Sequence, residues 1–158
     1  MAVLERATER LELMRRTRTV AMVGASSNPS RASHFVATYL AGKTPWTVWY
    51  VNPRETEILG REVYPSLAAL PHAPDLVDVF RRVDELPGVV DAAIEVGASA
   101  VWFQLGLTHT AAAATASAAG LDVVQNRCLK IEHARFCGGL HDAGFVTGVI
   151  DSRRVRLL

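Results

Sequence analysis

The stretch Val20-Ala-Met-Val-Gly-Ala-Ser-Ser-Asn-Pro-Ser-Arg31 decides the fold. An apolar run leads into Gly24, small and turn-forming residues follow, and an amphipathic stretch with Phe35, Val36, Tyr39 and Leu40 comes next. That is the pattern of a buried parallel strand, a tight loop and a helix start. Such a loop aims backbone N–H groups and the positive end of a helix dipole at an anion, usually a phosphate. The dinucleotide fingerprint G-x-G-x-x-G needs a glycine at each of its fixed places, but after Gly24 the others are held by Ser26 and Pro29. The loop points to phosphate binding and only poorly to NAD.

Working outward, Val3, Leu4, Ala7, Leu11 and Met14 recur at helical spacing among Glu and Arg, so an extra amphipathic helix precedes the first strand. Short apolar runs follow at Thr47–Val51, Asp75–Phe80, Ala100–Gln104 and Leu121–Val124. Helical stretches separate the later ones: Leu86–Val96 ending near Gly97, and Thr108–Ala119 with Thr108 as N-cap and Gly120 as stop. Short strands alternating with helices imply right-handed crossovers and a parallel sheet covered on both faces. The expectation is an α/β, Rossmann-like, doubly wound parallel sheet of about five strands in the order 3-2-1-4-5. Gly144–Ile150 is a further edge-strand candidate.

Composition bounds the function. With 158 residues, 49% of them hydrophobic and 21% charged, the chain reads as a single domain spanning 1–158 with a substantial core. A net charge of +1 argues against a nucleic-acid binder, which concentrates basic residues over a whole face. No apolar run is long enough to span a bilayer, and the charged segment Ala2–Arg18 is no signal peptide. Cys128 and Cys137 form no C-x-x-C pair, and the expected location is the cytoplasm.

In an open α/β sheet, ligands bind outside the carboxyl ends of the strands. The first strand delivers Gly24, Ala25, Ser26, Ser27 and Arg31, and the second Asn52, Pro53 and Arg54. The third delivers Phe80, Arg81 and Arg82, and the fourth Gln104, Leu105 and Gly106. Arginines and a donor-rich loop thus converge on one edge of a nearly neutral chain, which suits a ligand with several phosphates. Dinucleotide domains place Asp or Glu after the second strand to hold ribose hydroxyls. Here Asn52-Pro53-Arg54 stands there, with Glu55 and Glu57 further on. An arginine at that place suits the 2′-phosphate of NADP or a ribose 3′-phosphate equally.

The segments Val23–Ser27, Val51–Arg54, Ile58–Leu67, Asp75–Arg82, Val101–Gly106 and Val124–Cys128, in this order, resemble the small single-domain CoA-binding proteins. These are similar to the N-terminal domain of the succinyl-CoA synthetase alpha subunit. The resemblance covers about residues 19–136 and leaves 137–158 as a C-terminal extension. It implies that Ala25, Ser26, Ser27 and Arg31 hold the CoA pyrophosphate, and that Pro53 and Arg54 lie along the nucleotide. It also implies Phe80, Arg81 and Arg82 at the adenine end and Gln104 and Gly106 at the pantetheine arm. The synthetase carries its phosphohistidine on a second domain. No Gly-His-Ala-type loop or Walker-type Gly-Lys-Ser/Thr loop occurs here, so binding of CoA or an acyl-CoA without catalysis alone is expected. The alternatives are an NAD(P)-binding oxidoreductase or redox sensor, and a regulatory subunit of an acyl-CoA-handling enzyme. A protein partner or a homo-oligomer is compatible with either.

Other candidates read as structural. Trp46, Trp49 and Trp102 lie within or beside strands and fill the core. His133, Cys137 and His141 are spaced for one helix face, but Gly138-Gly139 breaks it and no fourth ligand is evident, so no metal site is expected. Cys128 follows the fifth strand, where Arg127 and a helix start would lower its pKa; packing is the favoured role.

Overall fold

The computed structural model describes residues 3–136. Its sheet contains β1 (Thr19–Val23), β2 (Thr47–Val51), β3 (Glu57–Ile58), β4 (Arg61–Tyr64), β5 (Leu76–Val79), β6 (Ala100–Phe103) and β7 (Asp122–Val124). The helices are α1 (Ala7–Arg16), α2 (Ala32–Lys43), α3 (Leu86–Val96), α4 (Thr110–Ala118) and α5 (Leu129–Phe136). The seven strands lie in the order β3-β4-β2-β1-β5-β6-β7, and every neighbouring pair is parallel except the β3-β4 hairpin.

Strand side chains alternate between faces, and both faces here are apolar, as a doubly covered parallel sheet requires. Val20 and Met22 of β1 pack with Val36, Ala37 and Leu40 of α2 and with residues of α1 and α5. Ala21 packs on the other side with Leu86, Val90 and Ala93 of α3 and the small residues Ala112, Ala113 and Ala116 of α4. Alanine there lets α4 lie close to both the sheet and α3.

The doubly wound α/β class stands, but the strand at 76–79 sits elsewhere than expected. It lies beside β1, with Met22 opposite Asp78, rather than outside β2. All of β5 is buried, so it needs neighbours on both sides; the outer place falls to β4, whose Arg61 and Glu62 are exposed. Counting β4 as the third strand restores the order 3-2-1-4-5, with β7 added beyond. The α4 helix also starts later than read, because His109 rather than Thr108 caps it, its Nδ1 accepting the N–H of Ala112 at 3.0 Å. Gly97 and Gly120 end their helices in left-handed conformations, at φ 80° and 95°.

Two attachments fix the flanks. The N-terminal segment adds to the β7 edge, the Leu4 N–H donating to the Val123 carbonyl at 2.7 Å. Arg10 of α1 is buried against Glu132 of α5, Nε to Oε1 3.1 Å, so these two helices meet through an ion pair inside the protein. The edge-strand candidate Gly144–Ile150, like Cys137, His141 and the extension 137–158, lies outside the described residues.

Candidate functional site

The chain winds outward from β1 to β2 and β4 on one side, then crosses to β5, β6 and β7 on the other. Loops leaving β1 and β5 therefore diverge to opposite faces, and the gap between them is the switch point where α/β sheets bind ligands. Gly24 makes that gap narrow. It has φ +86°, and a Cβ there would lie 2.6 Å from the Phe80 carbonyl oxygen. Only glycine lets the ends of β1 and β5 approach this closely.

Beyond Gly24 the loop is held by its own side chains. Ser26 Oγ accepts the Asn28 N–H, and Asn28 Oδ1 accepts the N–H and hydroxyl of Ser30. Asn52 clamps it from β2, its Nδ2 donating to the Ala25 carbonyl at 2.8 Å while its Oδ1 accepts the Arg54 N–H. The α2 helix then begins with Arg31 as N-cap, no side chain bonding its first N–H groups and no acid in its first turn. Its positive end is left to the cleft.

The cleft at this point has a volume of about 800 Å³ and a mixed lining. The loops after β1, β2 and β5 bring Ser26, Arg31, Arg54, Arg81 and Arg82 to it, while Val36, Leu105, Leu107, Cys128 and Ile131 supply apolar surface alongside the polar side chains of Ser33 and Gln104. Leu105 and Ile131 are exposed, so apolar surface faces solvent there. A second pocket of about 440 Å³ adjoins through Gly24 and Arg81 and is lined mainly by Val23, Val51, Pro53, Leu67, Val89 and Ala92.

Most residues expected at the site meet here. Gly24, Ser26, Arg31, Asn52, Arg54, Phe80, Arg81, Arg82 and Gln104 all line the larger cleft, and Pro53 lines the adjoining pocket. Ala25 is buried in the core beneath the loop. Gly106 is exposed outside the cleft, its N–H donating to Asn126 Oδ1. Ser27 is turned to Glu55, which accepts both its N–H and its hydroxyl.

Residues that sequence reasoning left out are as informative. Glu55 reaches back to the loop, and Glu85 holds Arg81 at 3.0 Å and approaches Arg82. Of the apolar lining, Leu105 was expected on this edge, whereas Val36 of α2 and Ile131 of α5 read as ordinary packing. The Cys128 thiol does line the cleft, but burial pushes its pKa up, against the lowering expected from Arg127 and the helix start. His133 is buried on α5 with Tyr39 Oη 2.9 Å from its Nδ1, and Trp46 packs edge-on against it. Among the described residues no group of His, Cys, Asp and Glu is arranged to hold a metal ion. Nor is any described helix long and apolar enough to cross a membrane.

Residues 18–134 match the family model described as a CoA binding domain. The chain belongs to the CoA binding domain family. It is 34% identical to YneT of Bacillus subtilis (strain 168) over 123 residues, 78% of this chain and 90% of that one. The structure of Prb, the PH1109 protein redesigned for binding, is 37% identical with a TM-score of 0.80, covering 84% of this chain and 93% of that one. A dinucleotide-forming acetyl-coenzyme A synthetase of Ca. Korarchaeum cryptofilum shares the fold, at 23% identity and a TM-score of 0.65 over 73% of this chain. This chain covers only 28% of that synthetase. Membership in the CoA binding domain family supports a CoA-binding role.

Proposed function

We propose that the protein binds coenzyme A, or a CoA thioester, across the carboxyl edge of its sheet and makes no thioester by itself. The observation that carries this reading is the mixed lining of the cleft. Its loop, helix end and arginines suit the pyrophosphate and 3′-phosphate, and its apolar side chains suit the uncharged pantetheine arm. The adjoining apolar pocket has the size and lining for the adenine ring. Asn52 and Arg54 at the end of β2 favour this over NAD, whose ribose calls for an acid at that place.

Calorimetric titration with CoA, NAD and NADP tests the reading: CoA is expected to bind most tightly, and tighter NAD binding would reject it. Dephospho-CoA is expected to bind about ten- to hundredfold more weakly than CoA, the effect of one lost charged hydrogen bond of about 1.5–3 kcal/mol. Equal affinities would place the 3′-phosphate in solvent.

A second expected result concerns the loop. Ser26→Asp keeps an acceptor for the Asn28 N–H, so the fold should survive, while the added carboxylate repels a pyrophosphate. CoA binding should fall below detection with an unchanged circular dichroism spectrum. Binding that persists would reduce the loop to a structural turn.

A further inference from the structure

Large apolar side chains that stand in solvent are few among the described residues, and Leu105 and Ile131, which are among them, both line the cleft. Leu105 is 64% exposed and Ile131 42%. They come from different elements, the turn after β6 and the first turn of α5.

Leu105 is held in place. Gln104 to Leu107 form a tight turn, the Leu107 N–H donating to the Gln104 carbonyl at 2.9 Å, with Gly106 at φ 88°. Asn126, just beyond β7, grips this turn at two points. Its Oδ1 accepts the Gly106 N–H at 2.7 Å, and its own N–H donates to the Leu107 carbonyl at 3.0 Å. Asn126 itself sits in a left-handed conformation, φ 54°. A pinned turn thus holds a large apolar side chain out in water, at a hydration cost that is recovered when apolar material covers it.

Strand order sets the direction in which a ligand would run. β1 and β2 lie on one side of β5, and β6 and β7, with the turn and helix that follow them, lie on the other. On the CoA reading, phosphates held by Ser26, Arg31 and Arg54 leave the arm to run towards Leu105 and Ile131. Gln104, beside Leu105, is buried, and its Nε2 donates to Oδ1 of the fully buried Asp78.

We propose that the ligand is a CoA thioester with an apolar acyl chain, and that the chain lies along Leu105 and Ile131. The proposal rests on the CoA reading above and narrows it to a ligand class. The free thiol of CoA ends the molecule at sulfur and covers these side chains least. An acyl group continues the arm, and each methylene laid on them removes apolar surface of both partners from water. An acyl group ending in a carboxylate forfeits that gain, because a charge would have to leave water for an apolar surface.

Calorimetric titration of acetyl-, butyryl-, hexanoyl- and succinyl-CoA, with CoA alongside, tests the assignment. Affinity should rise about twofold per added methylene, the effect of covering a CH₂ in part, so hexanoyl-CoA should bind about tenfold more tightly than acetyl-CoA. Succinyl-CoA, with the acyl length of butyryl-CoA, should bind more weakly than butyryl-CoA. Leu105→Ser combined with Ile131→Gln should bring the hexanoyl-to-acetyl ratio below about threefold, and reading the ratio cancels whatever the variant does to the shared arm and phosphates. Leu105→Ser alone lies outside every helix and strand and should lower the ratio too, which serves if the pair unfolds the protein. A wild-type series that does not rise with chain length overturns the proposal without any variant. So does succinyl-CoA binding more tightly than butyryl-CoA, or the full ratio persisting in the folded variants. CoA and all the thioesters binding equally rejects this inference and leaves the CoA reading intact; binding by none of them rejects both.

Discussion

Gly24→Ala is expected to destabilise the protein by about 2–5 kcal/mol, measured by chemical denaturation. About 1–2 kcal/mol comes from holding an L side chain at a left-handed backbone conformation. The rest comes from the new methyl group, which would sit 2.6 Å from the Phe80 carbonyl oxygen. That oxygen cannot simply move aside. Phe80 is tied into the sheet, its N–H donating to the Val23 carbonyl at 2.8 Å, so relief requires the ends of β1 and β5 to part. Gly120→Ala is the control: φ is +95° there, but nothing lies within 4 Å of an added Cβ. It should cost only the conformational part. Equal costs at the two positions would show that the close approach at the switch point is not what demands glycine. Gly24→Ala should also weaken CoA binding in whatever fraction remains folded, because Phe80, Arg81 and the loop line one cleft.

Arg10→Ala and Glu132→Ala are each expected to cost about 3–5 kcal/mol, since each strands a buried charge without its partner. Arg10 is 5% exposed and Glu132 1%, so water cannot take the missing partner's place. The two losses should differ in size. Arg127 and Arg135 stand 3.8 and 3.7 Å from Glu132 and still serve it when Arg10 is gone, whereas Arg10 has no second carboxylate recorded beside it. Glu132→Ala should therefore be the more damaging. Joint replacement by apolar residues, Arg10→Met with Glu132→Leu, should recover most of the loss, because the desolvation cost disappears with the charges. Single substitutions costing less than about 1 kcal/mol would mean that α1 opens from α5 readily enough to hydrate the pair.

The parts of the fold that could be read from sequence were those in which one physical signal dominated. The run into Gly24 carried burial, a tight turn and a helix start in consecutive residues, and the β1–loop–α2 unit is where it was expected. The strand β4 escaped notice because only Val63 of Arg61–Tyr64 is buried, which leaves almost no alternation to detect. Missing it displaced β5 in the expected order, since the outer place beside β2 had to be filled by something. At the site, arginines that follow strands were visible because position alone places them on the ligand edge. Glu55 was passed over for standing three residues beyond Asn52, yet the turn at Asn52 swings it back onto Ser27. Asp78 was absorbed into an apolar run; the signal was there, in a carboxylate standing between Val77 and Val79 where both faces are covered.

The hydrogen bonds of Glu55 to Ser27 and of Glu85 to Arg81 and Arg82 have a thermodynamic consequence for the cleft. On the CoA reading proposed above, Glu85 sits beside arginines that would meet phosphate oxygens and Glu55 holds the loop donors of Ser27, so the protein without ligand satisfies part of its own cleft. Ligand entry is then an exchange of one set of anions for another rather than the neutralisation of bare cations. The heat released should be smaller than the contacts alone would give. Affinity should also decline less steeply with added salt than a cluster of arginines implies, since salt screens the outgoing contacts as well as the incoming ones. A carboxylate is a weaker competitor than a doubly charged phosphate, and the exchange runs towards the ligand only when several phosphate groups arrive together. On that reading the tethered acids would set a threshold, turning away lone small anions while admitting a molecule that carries its charges in a row.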